Sequence, residues 1–327
     1  METTKFLSYF MFLVLCITPY GHSFRYNDQT ARLVIESNDM QNMPTILEQY
    51  AGTKELILFN LKNQTYTPII QDVLLKIYAL KQLELLSFFR CNLDSFAANK
   101  IQNKLLTLEI NNCEFDGNTL AELPESLLTL VLNGATITDE KLMNLPQDLT
   151  TLKLVNCSQV TDAGLKNLPK KLTWLEIKKC NLLSKNCLAF LPKNLTILSL
   201  IHNKGMCITD AEIAQLPGTL MILKLRYQHE ITNAGIAALP RKLIALILFG
   251  SCKLITDKGL KKLPPTLELL CMEDVRSITG QGLFNLPNKL FFLYLLNTWN
   301  LSHKDLEIFQ KTRPFLEIRR YITPQAT

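Results

Sequence analysis

The sequence is poor in the residues that carry most enzyme and metal chemistry. Its four histidines, His22, His202, His229 and His303, include no pair at the helical spacing of a metal site. The nine cysteines include no C-x-x-C pair, which removes the common zinc and dithiol motifs. No glycine-rich phosphate loop occurs among the 12 glycines. No run of five or six like charges is present. The net charge of +6, from 35 basic and 29 acidic residues, is a mild surplus spread along the chain and does not indicate a nucleic-acid partner. Beyond Ile17 no stretch is long and apolar enough to cross a bilayer. The expectation is a chain without a catalytic centre, metal or cofactor. Cys271 is the one reactive-thiol candidate, and it has no histidine partner.

What is present is periodicity. Leu-Pro recurs at Leu123-Pro124, Leu145-Pro146, Leu168-Pro169, Leu191-Pro192, Leu216-Pro217, Leu239-Pro240, Leu263-Pro264 and Leu286-Pro287, with gaps of 22 to 25 residues. A fixed period of this size marks a solenoid. Solenoids act through broad surfaces, so a binding face is sought before a pocket. The hydrophobic content of 47% excludes extensive disorder.

Each unit divides by physical role. L-x-x-L-x-L, as in Leu149, Leu152 and Leu154, has the alternation of a strand with one buried face. A small polar or thiol residue follows: Cys113, Cys157, Cys180, Asn203 or Cys252. Then comes Thr-Asp or Thr-Asn, as in Thr138-Asp139, Thr161-Asp162, Thr209-Asp210, Thr232-Asn233 and Thr256-Asp257. This reads as a helix start, with the hydroxyl capping and the carboxylate facing the dipole. Gly-Leu-x-x-Leu supplies a short helix and Pro stops it. Leu183-Ser184-Lys185, Ile278-Thr279-Gly280 and Leu301-Ser302-His303 lose the Asp, and weaker helices are expected there.

These units resemble leucine-rich repeat proteins of the cysteine-containing, ribonuclease-inhibitor-like subtype, whose units read L-x-x-L-x-L-x-x-C-x-x-I-T-D-x-G-L. The resemblance is strong over residues 83–303. It implies an α/β horseshoe with a parallel concave sheet and short convex helices. The Leu-Pro before each strand is also similar to leucine-rich repeat proteins of bacteria that live inside amoebae or animal cells. The expected organisation is residues 1–23 as a signal peptide, 24–82 as an N-terminal cap with degenerate repeats, 83–303 as repeats and 304–327 as a C-terminal cap and tail.

The signal-peptide reading rests on Lys5, the apolar run from Phe6 to Ile17, the break at Thr18-Pro19-Tyr20-Gly21 and small residues near Ser23. It places the mature chain outside the cytoplasm with no stable membrane insertion. If the run is not a signal, the chain is cytoplasmic. One cysteine per repeat at an inward position reads as a column of free thiols packed as small hydrophobes.

Function must lie in positions that do not repeat. Side chains between the buried leucines point out of the concave sheet. Those from 222 to 296 carry Ile222, Ile247, Phe249, Leu269, Phe292, Tyr294 and Leu296, expected to be exposed. Large exposed apolar patches mark interaction sites, and aromatic residues and Arg are the usual anchors. The competing expectation is that the tail, with Phe309, Phe315 and Tyr321, folds back over these strands. The candidate partner-binding set is Trp174, Lys178, Lys224, Arg226, Tyr227, Ile247, Phe249, Phe292 and Tyr294. The lysines and Arg226 suit an acidic partner. The functional expectation is a monomeric, exported, non-catalytic solenoid binding a protein through its concave face, as a bacterial effector or surface or secreted factor acting on a host protein. The alternative is an intracellular adaptor or ubiquitin-ligase substrate receptor of the F-box/leucine-rich repeat type. Residues 24–50 lack an F-box pattern.

Overall fold

The computed structural model describes residues 25–27, 31–36, 42–60, 67–93, 96–101, 104–113, 123–134, 137–227, 230–250, 252–298 and 300–321. The alternation of the repeat becomes a run of five-residue strands. In the strand Thr151–Val155, Leu152 and Leu154 are fully buried, whereas Thr151, Lys153 and Val155 are half-buried on the opposite face. The strands are β1 (Arg25–Asn27), β2 (Arg32–Glu36), β3 (Glu55–Phe59), β4 (Leu85–Phe89), β5 (Thr107–Asn111), β6 (Thr129–Asn133), β7 (Thr151–Val155), β8 (Trp174–Lys178), β9 (Ile197–Ile201), β10 (Ile222–Arg226), β11 (Ala245–Phe249), β12 (Leu269–Glu273), β13 (Phe292–Leu296) and β14 (Glu317–Tyr321). They form a single 14-stranded sheet in sequence order, parallel from β2 onward, with β1 antiparallel at its edge. The register never slips. Leu152 faces Leu175, which faces Leu198, and then Leu223 and Leu246 follow. Each of these leucines is fully buried and contributes about 1.5–3 kcal/mol by burial.

The residue after each strand from β3 to β13 turns the chain sharply. Asn60, Arg90, Asn112, Asn156, Lys179, His202, Tyr227, Asp274 and Asn297 all have φ between 51° and 64°, the left-handed region. Gly134 and Gly250 hold the same place in their repeats. Non-glycine residues rarely adopt this conformation, so its recurrence reflects the corner geometry of the coil. At Gly250 a side chain is also sterically blocked, because a Cβ there would lie 2.6 Å from the Tyr227 ring.

The thiol column sits just inside this corner. Cys91, Cys113, Cys157, Cys180 and Cys252 are free and buried. Cys157 Sγ donates to the Leu132 and Val155 carbonyls, and Cys180 Sγ donates to those of Leu154 and Lys178, each at 3.6 Å. Asn203 does the same work with stronger groups: its Oδ1 accepts from the Cys180 N–H at 2.9 Å and its Nδ2 donates to the Ile177 carbonyl at 3.0 Å.

The Thr-Asp pair is corrected in part. Thr161, Thr209, Thr232 and Thr256 cap their helices, each hydroxyl accepting from the backbone N–H two residues on. The aspartate, however, bonds to the next repeat. Asp139 accepts from the Thr161 N–H at 2.8 Å and from its hydroxyl at 2.5 Å. Asp162 holds Ser184, Asp210 holds Thr232 and Asp257 holds Thr279 in the same way, and Asn233 bonds to Thr256. The carboxylate is an inter-repeat bracket. At four junctions the next repeat leaves room for it, since Gly164, Gly235, Gly259 and Gly282 stand where a Cβ would strike the bracketing oxygen, and Cys187 takes that place opposite Asp162.

The expectation of weaker helices holds at Lys185 and fails at the other two positions. Lys185–Phe190 is a 3₁₀ helix, whereas the helix after Thr279, Gly280–Leu283, has the same four-residue length as those after Thr161, Thr209 and Thr256. His303–Thr312 is ten residues long, because Ser302 and Asp305 form a reciprocal capping box. Its Phe309 is fully buried, with Phe284 edge-on at 5.5 Å.

The tail departs from the competing expectation. As far as Tyr321 it does not fold back across the sheet. It adds β14 beside β13, with Tyr294 opposite Arg319 and Leu296 opposite Tyr321. Phe315 remains 94% exposed. Residues 1–24 and 322–327 lie outside the described residues, as do His229 and the signal-peptide segment. Among the described residues no helix is long and apolar enough to cross a membrane, and no cluster of metal-ligating side chains occurs.

Candidate functional site: a recess on the concave sheet

Three outward columns meet on β8 to β14. Because consecutive strands sit only ~4.8 Å apart, large apolar side chains on one face of a regular sheet touch their neighbours. The expected exposed patch is therefore largely closed. Ala245, Ile247, Leu269, Cys271 and Phe292 form a second, small buried cluster on the concave side, with Ile222, Phe249 and Tyr294 packed against it. Ile247 is 7% and Phe292 9% exposed, so these two candidates are core as well as site.

The closure is incomplete. A recess of about 190 Å³ remains, lined by Trp174, Ile222, Lys224, Ile247, Phe249, Phe292 and Tyr294 among the expected residues, and by Ile197, Leu198, Ser199, Cys271 and Arg319. Six of the nine candidates thus converge on one hollow: Trp174, Lys224, Ile247, Phe249, Phe292 and Tyr294. Arg226 and Tyr227 line a second, more open groove at the corner of the coil, together with Asn156, Lys179, His202, Lys204 and Cys207. Lys178 lines neither. It stands in the same column as Arg226, on β8.

Cations frame the aromatic walls. Lys153 Nζ lies 4.4 Å from the Trp174 ring centre. The Arg226 guanidinium lies 5.2 Å from Tyr227 and 5.8 Å from Phe249, so it borders both hollows. Arg319 lies 5.7 Å from Phe292, and Tyr321 packs 5.5 Å from Tyr294. His202 meets the Tyr227 ring edge-on at 4.6 Å. Its imidazole is pushed below its ordinary value by burial first, and then by Arg226, Lys178 and Lys179. Burial likewise lowers the Lys224 ammonium, and the attraction of Glu176 does not cancel this.

Two residues were missed in the sequence. Ser199 is 4% exposed and its Oγ makes no hydrogen bond among the described residues, although it lines the recess. Arg319 was assigned to the tail, because β14 carries only the weak signal Leu316-Glu317-Ile318. Cys271 is corrected as well. It sits in the outward column but is buried by Ile247 and Tyr294 on the flanking strands, and burial pushes its thiol up to about 12. Cys207 is the exposed thiol.

No protein-family model and no curated protein matches this sequence. Solved structures do. The chain is similar to Rad7 from yeast, solved in complex with Elc1, with a TM-score of 0.59 and 17% identity over 88% of this chain and 80% of that one. It is similar to the internalin inlF of Listeria monocytogenes, with a TM-score of 0.52 and 20% identity over 89% of this chain and 91% of that one. It is also similar to the circular leucine-rich repeat protein CroV588, with a TM-score of 0.51 and 17% identity over 86% of this chain and 39% of that one. At these identities the likeness speaks for the fold. With a continuous parallel sheet, a regular inter-repeat bracket and these neighbours, the chain folds as a leucine-rich repeat solenoid.

Proposed function

We propose that this solenoid recognises a protein partner through the concave recess between β8 and β14, acting as a non-catalytic monomer. One observation carries the reading. Among the described residues the outward apolar side chains of β11 to β13 pack on one another, and beside them a recess stays open in which the aromatic walls of Trp174, Phe249, Phe292 and Tyr294 meet Lys224 and Arg319. Recognition sites have this composition: aromatic anchors, few well-placed polar groups and a charged rim.

The proposal extends to export by the leader at residues 1–23 and to action on a host protein, as the Leu-Pro signature and the likeness to an internalin suggest. A second reading, an intracellular adaptor, is favoured by the likeness to Rad7, which is solved in complex with Elc1. A mature N-terminus near Phe24 supports export, and an intact Met1 in the cytosol opposes it. The recess itself is tested by capture of cross-linked partners with the full chain and with Phe249→Ala plus Tyr294→Ala. The same captured protein must be lost in the double variant. Equal capture by both sinks the assignment of the site.

A further inference from the structure

The recess is amphipathic in an ordered way. Its middle column runs Glu176, Ser199, Lys224, Ile247, Cys271, Tyr294 and Arg319 across β8 to β14, each facing the next in register. Ser199 and Lys224 are neighbours at one end. The remaining floor and walls are Trp174, Ile222, Ile247, Phe249, Phe292 and Tyr294.

The two polar groups are unusual for their places. Ser199 Oγ is buried and has no hydrogen-bond partner among the described residues, and a buried hydroxyl left so is costly. Lys224 has no carboxylate within 4.0 Å among the described ion pairs, although burial penalises its charge. A hydroxyl and an ammonium on adjacent strands, both facing one small hollow, make a donor pair for an anionic oxygen. Around them Lys153, Lys178 and Arg226 outnumber Glu176.

The volume limits the occupant. A cavity of about 150 Å³ takes one benzene, and pockets for drug-sized ligands run to roughly 300–1,000 Å³. At about 190 Å³ the recess holds one large apolar side chain and a carboxylate. In an extended peptide successive side chains point to opposite faces, so an acidic residue beside an apolar anchor would point away from the hollow. A chain terminus is different. Its last residue carries the apolar side chain and the α-carboxylate on one carbon.

We propose that the recess reads the C-terminal residue of a partner, its apolar side chain against Trp174, Phe249 and Phe292 and its α-carboxylate on Lys224 and Ser199. This rests on the protein-recognition reading above and names the part of the partner that is read.

The test is fluorescence anisotropy with the full chain and fluorescein-labelled Gly-Ser-Gly-Ser-Phe, as free acid and as C-terminal amide, with far-UV melting of every variant. The free acid is expected to bind at least tenfold more tightly than the amide. Lys224→Gln is expected to remove that difference while the fold melts as a single transition, and Ser199→Ala to reduce it. Leu in place of Phe keeps binding and Asp abolishes it. Equal binding of acid and amide, with both lost in Phe249→Ala, overturns the terminal-carboxylate proposal and leaves the concave recess as the recognition site. Phenylpropanoic acid binding as tightly as the peptide acid also overturns it, in favour of a small-molecule site. Binding of the peptide acid that survives both Lys224→Gln and Phe249→Ala overturns the proposal and the recess assignment together.

Discussion

Lys185 and Glu212 pair at 3.3 Å across a repeat junction where the following junction uses Asp210 and Gly235. At each junction bracketed by a carboxylate, one acceptor serves both the N–H and the hydroxyl of the capping Thr or Ser. At Asn233 the amide oxygen takes the Thr256 N–H and the amide nitrogen donates to its hydroxyl. Where Asp162 or Asp210 supplies the acceptor from the preceding repeat, the next repeat carries Cys187 or Gly235 at the facing position. Where that aspartate is replaced by Lys185, the facing residue is Glu212, which accepts from Thr209 N–H at 2.9 Å and from its hydroxyl at 2.5 Å. Gly280 and Asp305 repeat the exchange: Asp305 holds the N–H and hydroxyl of Ser302 from within its own helix. The acceptor moves, and its number stays at one.

That rule predicts a double-mutant cycle. Lys185→Asp alone places two carboxylates at one junction and should destabilise the chain by about 1–3 kcal/mol. Glu212→Gly alone strips the Thr209 groups of their acceptor at similar cost. The double variant recreates the Asp-Gly junction and should recover most of the loss, with a coupling of about 0.5–3 kcal/mol in urea melts. Additive losses would show that the two positions act independently.

Glu212 also sets an acid dependence. Burial pushes its carboxyl up, but the hydrogen bonds from Thr209 and the Lys185 pairing outweigh this and hold it below its ordinary value of 4.5. A carboxyl depressed in the folded state contributes stability above its unfolded pKa, and that contribution is lost as pH falls through the folded one. Wild-type Tm should therefore fall more steeply than that of Glu212→Gln as pH drops below about 4.5. Parallel curves would remove Glu212 from the account.

Thiol chemistry separates the column from the exception. Accessibility makes the separation: burial pushes Cys187, Cys252 and Cys271 up to about 12, whereas hydrogen bonds with Cys91 and Cys157 lower the buried Cys113 and Cys180, and Cys207 is itself raised by partial burial and Glu230. Cys207 is the exposed thiol among the described cysteines. In folded protein at pH 8 it should react with a disulfide reagent at least a hundredfold faster than the seven buried thiols, which become reactive on denaturation. Rapid labelling of Cys271, read by peptide mapping, would show that the concave cluster opens in solution.

Much of this architecture was legible in the residues. The phase of every strand from β4 to β13 follows from the leucine spacing, because the inward apolar residues return at the same place in each repeat even where, as in β11 and β12, the outward ones are apolar too. The role of the aspartate was not. Its partner lies 22 residues on and is present in every regular unit, so cap and bracket predict the same pattern. The discriminating signal was in the irregular units, where Lys185 comes with Glu212 and Gly280 with Asp305. The state of the concave face was hidden for another reason. Column lists give the direction of Ile247, Cys271 and Phe292, but their burial depends on mutual contact across strands. Ser199 was overlooked because a serine on an outward column reads as solvated, and only its large neighbours bury it.

Lys224 tests whether the recess is kept for function at the expense of stability. Its ammonium lies below the ordinary lysine value because burial penalises the charge more than Glu176 offsets it. A lysine depressed in the folded state costs stability while protonated. The cost is fully present below its folded pKa and vanishes as pH rises past the unfolded value near 10.4. Lys224→Met, similar in volume and uncharged, should therefore raise Tm at pH 7, and the gain should shrink toward pH 10. The same variant should lose the preference for a free C-terminal carboxylate. A lowered Tm at pH 7 would mean that Lys224 is held by compensating contacts, and the recess would then have no unspent charge to offer a ligand.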